Sequence, residues 1–182
     1  AFVLRLGSAK EGAGELVFGR DANSLHQFLG VSAAEWVPLA NYSVRAEGLW
    51  ILRLLAVRIG GEDVVRCAND TSHVRFDGDG CMVALDSGST LMMGPPRSVD
   101  LLTEITSEAS CEDAVTLPQI EFEFMGVKGP VSLTLSQHEY FERHGEPCSF
   151  VFETFFSSRT NLWVFGQPLL RKYVVTHDLQ GG

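Results

Sequence analysis

Short apolar runs, most of them alternating or rich in β-branched and aromatic residues, dominate this chain. Phe2–Leu6, Gly14–Phe18, Trp36–Pro38, Trp50–Ile59, Met82–Leu85, Gln119–Phe124, Val131–Leu135, Phe150–Thr154, Leu162–Phe165 and Tyr173–His177 each read as a strand. Turn signals separate them: Gly12-Ala13-Gly14, Gly60-Gly61, Asp77-Gly78-Asp79-Gly80, and Gly126 with Gly129-Pro130. The period turns helical at two places. Ser98 can cap a helix reaching about Glu108, with Val99, Leu101, Leu102 and Ile105 as its apolar face. Ser136-Gln137-His138-Glu139 has the spacing of a capping box, and Gly145 can end that helix. A shorter helix is expected over Leu169–Lys172, after Pro168. No repeat, low-complexity segment or interior linker interrupts the pattern. The expectation is one mostly β domain over residues 1–182 with two or three short helices.

Composition narrows this little. A chain of 182 residues suits a single domain, and one that buries roughly 70% of its unfolded surface. No apolar run approaches the ~18 residues of a membrane span. The formal net charge is −9 with no basic cluster, which makes nucleic acid a poor partner. The opening Ala1–Leu6 segment is too short for a signal peptide, so the chain is expected to begin inside a larger polypeptide or after a cleavage.

The cysteines carry more. Cys67, Cys81, Cys111 and Cys148 are spaced by 14, 30 and 37 residues, which matches no compact zinc pattern. Four cysteines allow three disulfide connectivities, of which Cys67–Cys81 with Cys111–Cys148 closes the shortest loops. Asn41-Tyr42-Ser43 and Asn69-Asp70-Thr71 are glycosylation sequons. Together these favour a secretory protein with disulfides.

Candidate chemistry concentrates in Met82-Val83-Ala84-Leu85-Asp86-Ser87-Gly88-Ser89-Thr90-Leu91, where a short apolar strand delivers one carboxylate into a turn of glycine and hydroxyl residues. Gly88 lets backbone approach the carboxylate with no Cβ in the way. Ser87 and Ser89 supply hydroxyls, one for linking the loop and one for fixing a carboxylate oxygen. Such a turn suits general acid–base hydrolysis of a peptide bond, in which one carboxylate takes a proton from water while a second gives one to the carbonyl. Two carboxylates a few Å apart cannot both ionise, and that splits their pKa values. Only one such loop occurs in these 182 residues. His26, His73, His138, His144 and His177 are scattered and read as solvated or capping residues, so no metal site is expected. Glu11/Glu15 and Glu121/Glu123 read as exposed faces, and Trp36, Trp50 and Trp163 as core.

Ordered landmarks around Asp86 resemble the C-terminal lobe of the pepsin-like aspartic proteases, the family of pepsin, cathepsin D and the plasmepsins. They are Gly14-Glu15-Leu16-Val17-Phe18-Gly19, Trp36-Val37-Pro38, Leu49-Trp50-Ile51, Cys81 five residues before Asp86, Asp86-Ser87-Gly88-Ser89-Thr90 followed by Gly94-Pro95, Leu117-Pro118-Gln119-Ile120-Glu121-Phe122, Leu162-Trp163-Val164-Phe165-Gly166, and Arg171-Lys172-Tyr173 with Asp178. The resemblance implies a single lobe of the pepsin-like acid-protease fold and the disulfides Cys67–Cys81 and Cys111–Cys148. It implies an aspartic endopeptidase, made as a zymogen, that needs no cofactor and works in a secretory, extracellular or acidic vacuolar or lysosomal setting. Asp86 becomes one of the catalytic pair, with the second Asp on an N-terminal lobe that is the chain's expected partner. Ser87 joins the grip between the two active-site loops, Ser89 bonds the Asp86 carboxylate, and Gly88, Ser89 and Thr90 lie along an extended peptide substrate. The chain departs from the family pattern at Ser87, where Thr is usual, at Leu49, where an aromatic often stands, and at Gln167, where Asp usually follows the supporting glycine. The first Asp-Thr-Gly loop, the flap hairpin and the final Val-Gly-rich strand are absent. By itself the chain is therefore expected to be inactive and to self-associate through its opening strand or the Asp86 face. The alternatives are a catalytically inactive binding or assembly module and a homodimeric protease in which two copies each give one Asp.

Overall fold

The computed structural model describes residues 1–7, 12–40, 48–67, 81–106, 116–142, 149–156 and 161–178. Thirteen strands among them hold about twice as many residues as the helices, so the fold is mostly β as the pattern predicts. In chain order they are β1 Phe2–Arg5, β2 Glu15–Phe18, β3 Trp50–Ile59, β4 Glu62–Arg66, β5 Cys81–Leu85, β6 Met92–Gly94, β7 Ile120–Gly126, β8 Gly129–Leu135, β9 Phe141–Glu142, β10 Ser149–Phe150, β11 Phe152–Thr154, β12 Leu162–Phe165 and β13 Val175–His177. The main sheet runs β11-β6-β12-β5-β3-β7-β8, with β4 added to β3. β12 lies parallel to β5 and antiparallel to β6, so the middle of the sheet has mixed direction. A three-stranded sheet, β13-β1-β2, and a short β9–β10 pair complete the set.

Local chemistry explains several joints. Gly60 and Gly61 form a two-residue connection between β3 and β4, with φ of 59° and 89°. Two successive positive φ values define the type I′ turn whose twist matches that of a hairpin. The run Trp36–Pro38 does not form a strand. Pro38 has no N–H to give a ladder, and pairing there reduces to a Leu39–Leu52 bridge and a bond from the Val127 N–H to the Trp36 carbonyl at 2.8 Å. The expected Phe150–Thr154 strand is split at Val151. Its N–H bonds the Tyr140 carbonyl while its carbonyl accepts from Met92, which ties two separate sheets together.

Four short helices stand among the described residues: α1 Ala22–Leu29, α2 Pro96–Thr106, α3 Gln137–Tyr140 and α4 Gln167–Lys172. α1 has no counterpart in the sequence reading, although its caps follow the usual rules. The Asp21 carboxylate accepts the Ser24 N–H at 2.8 Å, which holds its pKa down at about 2, and Gly30 ends the helix at φ 68°. α2 starts two residues before Ser98, because Pro96 needs no N–H partner in a first turn. Its inner face is Val99, Leu102 and Thr106, whereas Leu101 and Ile105, expected to be core, are exposed. α3 does carry the bond of Glu139 to the Ser136 N–H, at 2.6 Å, but it ends at Tyr140. Gly145 lies outside the described residues.

The core packs between the main sheet and α2, with Trp163, Phe122, Phe124, Phe165, Leu54, Leu102 and Tyr140 fully buried. Cys67 and Cys81 are buried and joined in a disulfide. Cys111, Cys148, both sequons, Glu11, His73 and His144 lie outside the described residues. Three readings need correction. Trp36 is 37% exposed and stacks on His26, so it is not core. His177 is buried rather than solvated. Glu121 and Glu123 are not a free acidic face: Arg58 donates to Glu121 at 3.1 Å, to Glu123 at 2.9 Å and to Asp63 at 2.7 Å. The sheet register sets Arg58 directly opposite both Asp63 and Glu121.

Candidate active site

Asp86 follows β5, a strand buried along four of its five residues between β3 and β12. Rigid walls on both sides thus fix where the chain emerges. Leu85 is paired with Trp50 on one side and with Phe165 on the other. The Asp86 N–H donates to the Phe165 carbonyl at 3.0 Å, which carries the β12 contact one residue past the strand. The side chain then stands exposed.

The loop after Asp86 folds back on itself. The Gly88 N–H donates to Asp86 Oδ1 at 2.9 Å, and the Ser89 N–H donates to the Asp86 carbonyl at 3.2 Å. A Cβ at position 88 would lie 3.2 Å from that same Oδ1. The Ser89 carbonyl accepts the Gln167 N–H at 2.9 Å, so the loop is stitched to the start of α4. Gly166 sits under this crossing, where a Cβ would fall 2.2 Å from the Leu91 carbonyl oxygen and 2.4 Å from that of Ser89. Gly94 has the same role one strand away, since its Cβ would meet the Trp163 ring at 2.5 Å. The 162–166 run is visible in the sequence, but the two carbonyls that press on its glycine are not.

The other expected site residues divide. Ser89 Oγ donates to the Leu91 carbonyl at 3.1 Å, so in this single chain its hydroxyl closes the loop. Ser87 and Thr90 are exposed beside Asp86, and Leu49 is exposed just before β3. The Gln167 side chain accepts from Arg171 at 2.8 Å. The geometry presents a single carboxylate, steadied by one backbone N–H, on an open face with hydroxyl groups next to it. No group of three or more His, Cys, Asp or Glu side chains among the described residues could hold a metal ion.

Comparison with known proteins points the same way. Residues 1–181 match the family described as eukaryotic aspartyl protease. Bovine pepsin A is 25% identical, over 97% of this chain and 44% of its own length. Plasmepsin VI of Plasmodium berghei is 27% identical, over 92% of this chain and 37% of its own. Cathepsin E of Aquarana catesbeiana is also 27% identical, over 91% of this chain and 38% of its own. The chain thus spans less than half the length of these relatives.

Proposed function

The chain belongs to the eukaryotic aspartyl protease family, and from that premise we propose that residues 1–182 are the C-terminal lobe of an aspartic endopeptidase whose catalytic pair includes Asp86. The observation that carries this reading is the placement of Asp86. It is an exposed carboxylate at the end of a buried strand, held by backbone bonds from Gly88 and to Phe165, with no counter-ion on it among the described residues. A carboxylate kept free of cations can share a proton with a second carboxylate facing it. That pair activates one water: one member removes its proton as the other protonates the peptide carbonyl. Ser87, Gly88, Ser89 and Thr90 would frame the bound peptide, and Leu49 would touch it.

The second Asp comes from the N-terminal lobe in this reading, so residues 1–182 alone do not cut peptides. The Cys67–Cys81 disulfide supports an oxidising, secretory setting. Leu16 and Phe18, 52% and 74% exposed on the edge strand β2, support self-association of the lobe when it is alone. The reading is tested by binding of a peptide analogue with a secondary hydroxyl in place of the scissile carbonyl. The full-length protein binds it at acidic pH, and Asp86→Asn loses most of the affinity. Equal binding by both proteins would leave Asp86 outside the site.

A further inference from the structure

β13 carries a histidine into an aromatic slot. His177 is 7% exposed, stacked on Phe2 at 4.3 Å and set edge-on to Trp50 at 4.6 Å. Phe2 meets Trp50 at 5.7 Å, so the three rings form one joint between the three-stranded sheet and β3. Trp50 is the strand partner of Leu85, and the next residue is Asp86. The joint therefore stands one strand pair away from the carboxylate. His177 Nδ1 is buried and makes no well-formed hydrogen bond among the described residues.

Few charges lie on the elements packed around this ring. On β1 and β2, Arg5 pairs with Glu15 at 3.8 Å, three positions along from Phe2. On β3, Arg53 stands three residues beyond Trp50, and Asp178 follows His177 in the chain. From α1, His26 reaches the Thr176 hydroxyl at 2.8 Å and stacks on Trp36.

We propose that His177 is a positioning residue for Asp86: neutral, it packs the three-stranded sheet onto Trp50 and braces the strand end that carries the carboxylate, and protonated, it loosens that brace. The catalytic half of this statement rests on the reading of Asp86 given above, while the packing half does not. Burial lowers the His177 pKa from 6.5 to about 4, against the Val175 carbonyl, which favours the charged form. A histidine whose folded pKa lies below its unfolded value stabilises fully above the unfolded value. Its contribution drains away as pH falls from about 6.5 towards 4. The docking equilibrium of the small sheet should shift by up to about two orders of magnitude across that window.

The test follows hydrogen exchange of β1, β2 and β13 in the full-length protein from pH 7 down to 4, corrected for intrinsic rates, with β5 and β12 as internal reference. Protection of the small sheet should fall first in wild type and stay flat in His177→Phe, which keeps a ring in the slot. His26→Gln should behave as wild type. The acid limb of kcat/KM should move to lower pH in His177→Phe. An NMR titration of the His177 imidazole provides a readout that needs no variant. Equal pH dependence of exchange in wild type and His177→Phe, or an imidazole titrating at its ordinary value, would overturn the brace. If exchange behaves as expected but no variant changes the pH profile, the brace stands and its link to Asp86 fails.

Discussion

Asp86 and the Asp63–Glu121–Glu123 group belong to the same sheet, yet the fold treats their carboxylates in opposite ways. Arg58 answers all three members of the group at 2.7 to 3.1 Å, with Arg66 also on Asp63 and the Ser132 hydroxyl on Glu121. Partial desolvation would raise the Asp63 pKa, but the bonds from Arg58 and Arg66 outweigh it and hold it below the usual carboxylate value. The Arg58 guanidinium is correspondingly held above its ordinary value, chiefly by the bond to Glu123. Among the described residues, the Asp86 carboxylate receives a backbone N–H and no cation. The carboxylates around Arg58 are neutralised by neighbours in the register, whereas Asp86 is steadied, among the described residues, by backbone. A count of acidic residues would have ranked these two regions the wrong way round.

The comparison breaks most visibly at the support of the Asp86 loop. Gly166→Ala forces a Cβ against two carbonyl oxygens that themselves hold the loop, so nothing soft is present to yield. A loss of about 3 kcal/mol or more in denaturant stability is expected, in the class of severe steric substitutions. Activity should be lost with it even where the protein still folds. A variant of wild-type stability would mean that the crossing of Ser89 over Gly166 does not set the site.

The disulfide comes next. Replacing Cys67 and Cys81 together by Ser removes a cross-link over a separation of 14 residues. About 3 kcal/mol of stability should go, mostly through the unfolded chain. Because the bond lies at the start of β5, at the opposite end of that strand from the carboxylate, the folded variant should keep its activity at low temperature. A loss of activity without a loss of stability would place the disulfide in the site.

Arg58→Met probes the other region and should be smaller. Its ion pairs are about one-quarter exposed, between surface pairs of little worth and buried ones. About 1–2 kcal/mol at neutral pH is expected, with activity unchanged. The pH sign is fixed by Asp63: a lowered folded pKa stabilises above the ordinary carboxylate value and is lost as pH falls through the folded one. The gap between wild type and variant should therefore close in acid. A gap that widens would mean that the carboxylates do not act on Arg58 as charges.

Much of this was legible in the chain because it is local. The β3 and β12 boundaries follow directly from apolar runs, and Gly60-Gly61 marks a turn, although the strand after it, β4, has no counterpart in the expected strands. The Asp86 loop was legible because glycine and hydroxyl residues crowd one carboxylate after an apolar strand. What escaped depends on pairing. Glu121 and Glu123 alternate as an exposed face should, and only the register reveals Arg58 across from them. β6 has three residues, too few for any periodic signal, and it forms because it pairs with β11 along its length and with β12 at Val164. α1 buries only Ala22 and Leu25, so its apolar stripe is thin although Asp21 and Gly30 cap it. His177 falls within an expected strand, but nothing local tells that its face meets Trp50.

Asp86 is expected to work only with a second carboxylate from another lobe. That dependence is tested most directly by the cleavage rate of one peptide at acidic pH, measured for the full-length protein, its Asp86→Asn variant and residues 1–182 alone. The account predicts cleavage by the first, a fall of about 10²–10⁴-fold or more in the second and none by the third. Cleavage by Asp86→Asn at the wild-type rate would contradict it, as would cleavage by residues 1–182 alone.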